Sequence, residues 1–317
     1  MKLWITRPMT AEVDARARAE FDVEIRENTL PLTAQEMQRA LTEFDVVVPT
    51  LGDLFSAEIF ANAPKPRCKL LANFGVGYNH IDITAAQGAG IEVTNTPGAV
   101  TDATADVAMT LLLMTARRAG EGERLVRSGA WQGWHPTQML GQHATGKRVG
   151  IVGMGRIGQA IAQRCHFGFG MDVAYVARTE KMLEFPATRA ESLQSLAAEV
   201  DFLVLAVPGG AETRHLVGPD VLRAMKPSAI LINIARGEVV DQAALIAALE
   251  SSDIAGAGLD VYEFEPNVPE QLIRMENVTL LPHLGTATEE VRSNMGHMAL
   301  DNVAAFWAGQ ALPNPVA

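Results

Sequence analysis

Residues 148–158 read Arg-Val-Gly-Ile-Val-Gly-Met-Gly-Arg-Ile-Gly, an apolar run that passes into a glycine-rich turn. Its apolar first half predicts a buried parallel strand, and the segment 159–165 that follows predicts a helix. Between them stands the pattern G-x-G-x-x-G, made of Gly153, Gly155 and Gly158. One glycine permits the tight turn, one lets the backbone approach a pyrophosphate, and one lets helix and strand pack closely. We therefore predict a dinucleotide site with the phosphates at the helix N-terminus; the alternative is a glycine-rich structural turn.

Length, charge and cysteine content narrow the class of protein. A chain of 317 residues predicts two domains. The net charge of −11 argues against nucleic acid or an anionic membrane as the main partner. The two cysteines, Cys68 and Cys165, form neither a disulfide framework nor a metal-ligand spacing, so we predict a reducing compartment and no metal. Neither a signal peptide nor an apolar run of about 20 residues is evident, and we predict a cytoplasmic protein.

The first hundred residues alternate strand-like and helix-like segments. Helices are predicted over 10–20 and from a capping box at Thr33 and Glu36 to about Thr42. This alternation is typical of an α/β domain with a parallel sheet. The loop 75–79 follows the fourth strand, at a strand end where such sheets bind ligands, although a plain turn is the alternative. The predicted strands are 2–6, 21–25, 45–49, 70–74 and 91–94.

The rest of the chain begins with a long helical segment, 101–129, in which Gly120 and Gly122 suggest a break. Asp241 is expected to cap a helix over 241–250, and Thr286 with Glu289 a last helix that ends near Gly309. We predict two doubly wound parallel-sheet domains, Rossmann- or flavodoxin-like, with a cleft between them. The six strands predicted here are 148–152, 171–176, 201–206, 229–234, 255–260 and 277–281.

Three chemically useful side chains come just after predicted strands of the second domain. Arg236 follows the strand 229–234, and His283 follows the strand 277–281. Glu263 and Glu265 both follow the strand 255–260, and the residues alone leave both open as the acidic partner. A guanidinium, a carboxylate and an imidazole at one sheet edge can bind a keto carboxylate, orient the imidazole and move a proton.

Four strings of sequence resemble the D-2-hydroxyacid dehydrogenase family, and most closely its glyoxylate/hydroxypyruvate reductases. They lie at 152–158, 233–237, 260–266 and 281–288. The resemblance implies that Arg236, Glu265 and His283 are catalytic. It also implies a split fold, in which the substrate-binding domain 1–98 is completed by the C-terminal helix in 288–317 and a nucleotide-binding domain spans 99–287. The segment 101–130 would be the arm of a homodimer.

The same resemblance assigns binding residues for a small 2-keto or 2-hydroxy acid and for a nicotinamide cofactor. His283 would give a proton to the keto oxygen while Glu265 holds the imidazole in one tautomer and favours its protonated form. Arg236 would pair with the substrate carboxylate. The implied substrate contacts are Val76, Gly77, Arg236 and His283. The implied cofactor contacts are Gly153, Gly155, Arg156, Ile157, Gly158, Ala235, Asp260 and Gly285.

The strand 171–176 bears on the choice of cofactor. NAD-specific domains usually carry an acid at the end of this strand to bind the ribose hydroxyls. Here the chain continues with Ala177, Arg178 and Thr179, so a 2′-phosphate would meet a cation and a hydroxyl. We therefore predict a preference for NADP(H), with NAD(H) possible. In the alternative, Arg178 only stacks on the adenine and Glu180 supplies the acid.

Other functions stay open at this stage. The substrate could be a bulkier, aromatic 2-keto acid or an inorganic anion, because Leu51, Trp131 and Trp134 could line the pocket or only pack. A nucleotide-sensing binding protein, like the family's corepressor branch, is an alternative of another class.

Overall fold

The computed structural model describes residues 1–316, which divide into two compact units. The first contains Met1–Val100 together with the chain from Ala287 onward, and the second is Thr101–Thr286. The boundaries predicted from the sequence, 1–98 with 288–317 and 99–287, lie close to these.

The first unit is built on a five-stranded sheet in which every strand pairing is parallel. The strand order β2-β1-β3-β4-β5 is the flavodoxin-like order, so the prediction of a doubly wound α/β unit is confirmed. The strands are β1 (Lys2–Ile5), β2 (Asp22–Ile25), β3 (Val46–Val48), β4 (Leu70–Ala72) and β5 (Glu92–Thr94). The helices are α1 (Ala11–Glu20), α2 (Ala34–Glu43), α3 (Ala57–Ala61), α4 (Ile83–Gly88) and, from the end of the chain, α12 (Glu289–Trp307).

Helix α12 covers one face of this sheet. Its Leu300 and Val303 pack in one apolar cluster with Ile5 and Val48 of the central strands. The helix is capped by Thr288, whose hydroxyl accepts a hydrogen bond from the Val291 N–H, so the predicted cap at Thr286 is wrong. Both threonines suit an N-cap, and the helix begins two residues later than the sequence pattern indicated.

The second unit is a seven-stranded parallel sheet in the order β12-β11-β10-β9-β6-β7-β8. Counted from its own first strand, this is the Rossmann order with one strand added at an edge. The sequence predicted six strands and missed β8, a three-residue edge strand without an apolar pattern. The strands are β6 (Arg148–Val152), β7 (Asp172–Val176), β8 (Ala187–Arg189), β9 (Phe202–Leu205), β10 (Ile230–Asn233), β11 (Gly256–Leu259) and β12 (Val278–Leu280).

The predicted helical segment 101–129 is two helices. The chain breaks at Arg118, which has a left-handed backbone with φ of 52°, while Gly120 and Gly122 lie inside the following helix. The helices of this unit are α5 (Thr101–Ala116), α6 (Ala119–Arg127), α7 (Arg156–Gln163), α8 (Leu193–Glu199), α9 (Pro219–Ala224), α10 (Gln242–Glu250) and α11 (Glu270–Arg274). A search of the described residues finds no helix long and apolar enough to cross a membrane.

Candidate active site

The glycine turn between β6 and α7 has the shape that a dinucleotide pyrophosphate requires. A Cβ on Gly158 would come within 2.1 Å of the Gly153 carbonyl oxygen, so helix and strand approach as closely as glycine permits. A Cβ on Gly155 would meet nothing within 4 Å, which leaves open space over the turn. Within residues 1–316 no side chain caps α7, so the N–H groups of Arg156 and Ile157 at its start are available to an anion. These residues fit the phosphates of a nicotinamide dinucleotide.

The end of β7 presents a cation where an acid is more usual. The Arg178 and Glu212 side chains are both 87% exposed, and 3.6 Å separates Arg178 Nη1 from Glu212 Oε2. Thr179 and Glu180 are exposed as well. Arg189 of the edge strand donates hydrogen bonds to the carbonyls of Ala177 and Arg178, at 3.1 and 3.3 Å. This support was not expected from the sequence, because β8 itself was missed.

Arg236 lies beside the segment that carries Glu265. The next residue, Gly237, packs so tightly on the Tyr262 carbonyl carbon that a Cβ there would lie 1.8 Å from it. Burial lowers the pKa of the Arg236 guanidinium, and the carboxylates of Glu265 and Glu238 act in the opposite direction. Its Nη1 donates to the Ala235 carbonyl at 2.7 Å. A desolvated guanidinium of this kind is stabilised by an incoming carboxylate, to which it can donate in a bidentate manner.

Glu265, and not Glu263, contacts His283. His283 Nδ1 lies 2.9 Å from Glu265 Oε2, and Oε1 of the same carboxylate accepts a hydrogen bond from the Tyr262 N–H at 2.9 Å. Burial raises the pKa of Glu265, but the hydrogen bond from His283, the imidazole charge, the Tyr262 N–H and Arg236 outweigh it and lower the pKa. The carboxylate is therefore ionised at neutral pH and can only accept a hydrogen bond, which favours the tautomer with a proton on Nδ1 and leaves Nε2 on the side of the ring away from Glu265.

Asp260 fixes the backbone that carries His283. Its carboxylate accepts hydrogen bonds from the Leu284 and Gly285 N–H groups, at 2.6 and 2.9 Å, and its carbonyl accepts one from the His283 N–H at 3.0 Å. Thr104 donates to the Gly285 carbonyl at 3.1 Å. These contacts hold His283 in a left-handed conformation, with φ of 56°, that a residue with a side chain rarely adopts. Burial raises the pKa of Asp260, although both N–H groups and the His283 charge oppose it.

Glu263 belongs to a second histidine pair. His215 Nε2 lies 2.7 Å from Glu263 Oε1, Arg214 donates to the same oxygen at 3.1 Å, and the Gln242 N–H donates to Oε2 at 3.3 Å. No sequence motif singles out His215. The Glu263 carboxylate thus links the segment after β11 to residues that follow β9 and β10. Of the two glutamates, Glu265 is the one that contacts His283.

The predicted substrate loop, 75–79, belongs to the first unit and follows β4. Asn73 is buried behind it and donates through Nδ2 to the carbonyls of Gly75 and Gly77, both at 3.0 Å. Asn95 Nδ2 donates to the Val76 carbonyl at 2.9 Å. Two asparagines therefore bind three successive carbonyls of this loop, and no sequence motif marks either of them.

Large apolar side chains are exposed on α6 and on the chain that follows it. Trp134 is 79% and Leu140 67% exposed, and Val126 and Trp131 are also exposed. Neither tryptophan belongs to a described core cluster of this unit.

Comparison with known proteins identifies the family. Residues 109–285 match the model of the D-isomer specific 2-hydroxyacid dehydrogenase NAD binding domain. The glyoxylate reductase of Pyrococcus horikoshii is 45% identical over 99% of this chain and 95% of its own length, and the glycerate dehydrogenase of Hyphomicrobium methylovorum is 37% identical over 97% and 96%. The crystal structure of the NADPH-dependent glyoxylate/hydroxypyruvate reductase from Sinorhizobium meliloti, in complex with NADP and malonate, superposes with a TM-score of 0.88 at 36% identity, covering 100% of this chain and 96% of that one. This chain is therefore an oxidoreductase that belongs to the D-isomer specific 2-hydroxyacid dehydrogenase family.

Proposed function

We propose that this protein is an NADPH-preferring reductase of small 2-keto acids of the glyoxylate and hydroxypyruvate type. Its products would be 2-hydroxy acids, of D configuration where the new carbon is a stereocentre. The observation that carries the proposal is the 2.9 Å contact between His283 Nδ1 and Glu265 Oε2, beside the buried guanidinium of Arg236. The names of the relatives favour a small substrate.

In the proposed reaction, the bound nicotinamide supplies the hydride that forms the new C–H bond at the keto carbon. His283 donates the proton from Nε2 to the carbonyl oxygen as the C=O π bond breaks, so that oxygen becomes a neutral hydroxyl that stays bonded to the carbon. The Glu265 carboxylate stabilises the charged imidazole before the transfer and keeps Nδ1 protonated after it. The His283 side chain is 29% exposed, so water can return the proton.

Two further groups would hold the substrate. Arg236 binds the carboxylate of the keto acid and draws electron density from the neighbouring carbonyl. Val76 and Gly77 are proposed as further substrate contacts, through their N–H groups. The cofactor contacts proposed are Gly153, Gly155, Arg156, Ile157 and Gly158 for the phosphates, Ala235, Asp260 and Gly285 near the nicotinamide, and Arg178 with Thr179 for a 2′-phosphate.

A substrate panel tests the proposal. The purified protein is mixed with NADPH or NADH and with glyoxylate, hydroxypyruvate, pyruvate or phenylpyruvate, and absorbance of the reduced nicotinamide is followed. We expect the highest kcat/KM with glyoxylate or hydroxypyruvate and NADPH. A higher kcat/KM with phenylpyruvate would replace the small-substrate proposal by a dehydrogenase of aromatic keto acids, and cofactor binding without turnover of any 2-keto acid would contradict reductase activity altogether.

We also propose a homodimer, formed through α6 and the exposed apolar residues after it, and a cytoplasmic location. Apolar surface of this kind on a monomer promotes association. Both cysteines are free and buried, which agrees with a reducing compartment.

A further inference from the structure

The buried amide of Asn73 binds the loop 75–79, together with the Asn95 amide and with the Thr96 N–H, which also donates to the Gly75 carbonyl, at 3.1 Å. Asn73 follows β4 directly and is 1% exposed. Its Nδ2 donates to the carbonyls of Gly75 and Gly77 at 3.0 Å, and its Oδ1 lies 3.0 Å from His80 Nε2. The Val76 carbonyl between these two is bound by Asn95 Nδ2 at 2.9 Å. Three successive carbonyls therefore point to asparagine amides.

The direction of these carbonyls decides the direction of the N–H groups. In a planar trans peptide the C=O of one residue and the N–H of the next point in opposite directions. Because the Gly75 carbonyl points to Asn73, the Val76 N–H points away from it, and the Gly77 N–H likewise points away from Asn95. Within residues 1–316, neither of these two N–H groups donates to a protein acceptor. Successive N–H groups that point outward form a concave site for an anion.

We propose that Asn73 is a positioning residue for the substrate carboxylate: by binding the Gly75 carbonyl it turns the Val76 N–H outward, where that N–H can bind the carboxylate. Asn95 does the same for the Gly77 N–H by binding the Val76 carbonyl. The inference rests on the proposed function, since it names what gives the substrate loop its affinity for a carboxylate. Asn73 itself does not touch the substrate.

The decisive variant is Asn73→Asp, which keeps size but replaces the two donated hydrogen bonds by repulsion between oxygens. Asn302 offers a matched control. It is also fully buried in the first unit, and its Nδ2 also donates twice, to the Met298 carbonyl and to Asn314 Oδ1. Asn302→Asp therefore reproduces the cost of losing a buried donor without touching the loop. Asn95→Ser, at a partly buried position, is a milder second test that removes only the bond to Val76.

We expect Asn73→Asp to raise the KM for glyoxylate about 10- to 100-fold, with kcat nearly unchanged. A rise of this size corresponds to the loss of one hydrogen bond from a loop N–H to the charged substrate carboxylate. Calorimetric affinity of the cofactor-bound protein for oxamate, which is not reduced, should fall by a similar factor, while affinity for NADPH stays constant. Asn95→Ser should show a smaller rise in KM. Asn302→Asp should lower the melting temperature and leave KM unchanged.

The assays distinguish a failure of the proposed function from a failure of the proposed role of Asn73. If the unmodified protein reduces no 2-keto acid, the proposed function is wrong. If it does, and both Asn73→Asp and Asn95→Ser keep KM and oxamate affinity within twofold, only the role of Asn73 is wrong. A fall in kcat with constant KM, or an equal rise in KM for Asn302→Asp, would also overturn it.

Discussion

The carboxylate of Glu265 contacts His283 Nδ1 with one oxygen, at 2.9 Å, and accepts the Tyr262 N–H with the other. The backbone of its own turn therefore holds the carboxylate in place. Glu263 and Glu265 both follow β11. The hydrogen bond from the Tyr262 N–H distinguishes them, because it directs the Glu265 carboxylate to His283.

His283→Ala should lower kcat about 10²- to 10⁴-fold, the usual contribution of a positioned general acid. Affinity for NADPH, measured by quenching of tryptophan fluorescence, should change little, because the proton is needed only in the transition state. His215→Ala removes another histidine that contacts a glutamate, Glu263, and should keep more than half of kcat. If His283→Ala keeps as much activity as His215→Ala, His283 is not the acid.

Glu265→Gln should shift the alkaline limb of the pH dependence of kcat to lower pH. Its lowered pKa means that the native side chain is ionised throughout the assay range, so the change removes a negative charge beside the imidazole. The neutral amide favours the protonated imidazole less, and reduction fails at a lower pH than in the parent. A profile that keeps its shape and position would show that the carboxylate acts only as a packing group.

Arg178→Ala should lower kcat/KM with NADPH by at least tenfold and leave kcat/KM with NADH almost unchanged, because only NADPH has a 2′-phosphate for the guanidinium to bind. The exposed pair with Glu212 offers little competition. Arg223→Ala, at an exposed position on α9, removes one positive charge elsewhere and serves as the control. Calorimetry with 2′,5′-ADP gives the same comparison without turnover. A preference of the unmodified protein for NADH would contradict the prediction.

Light scattering at micromolar concentration should give the mass of a dimer. Trp134→Glu combined with Leu140→Glu should shift the mass toward that of one chain, because each change places a charge in an apolar interface. Ile273→Glu, at an exposed position on α11, should leave the dimer intact. A light-scattering mass of one chain for the unmodified protein would contradict the proposed homodimer.

Asp45→Asn should lower the melting temperature at pH 7. The difference in melting temperature between variant and parent should become smaller as the pH falls below about 4. The hydrogen bonds from Arg67 lower the pKa of Asp45, as does the Lys2 N–H, against the opposing effect of burial. Because the folded pKa is below the unfolded one, the stabilisation is present above the unfolded value and disappears as pH falls through the folded value. An equal loss at both pH values would mean that packing, not charge, is responsible.

The sequence predicted the features that depend on local pattern. The glycine turn was identifiable because the spacing of Gly153, Gly155 and Gly158 stands between an apolar strand and a helix. Each of Arg236, Glu265 and His283 follows a strand of a parallel sheet, and such strands end at one edge. The roles of these residues remain proposals.

The features that the sequence did not predict depend on tertiary contacts. Glu263 and Glu265 differ only in which loop their oxygens reach. Thr286 and Thr288 are equally suitable as N-cap residues, and tertiary packing determines that α12 begins after Thr288. Asn73 looked like an ordinary residue at a strand end, because its Nδ2 binds backbone carbonyls, which no side-chain pattern reveals.

The position of α12 affects the order of events during synthesis on the ribosome. Residues 1–100 emerge first, but one apolar face of their sheet is covered by Leu300 and Val303, and the Val316 N–H bonds to the Val93 carbonyl at the sheet edge. All of the second unit, Thr101–Thr286, is translated before these partners exist. The nucleotide-binding fold can therefore form while the first sheet still exposes Ile5 and Val48 to the cell's chaperones. A nascent chain stalled before residue 289 should bind such chaperones through its first hundred residues.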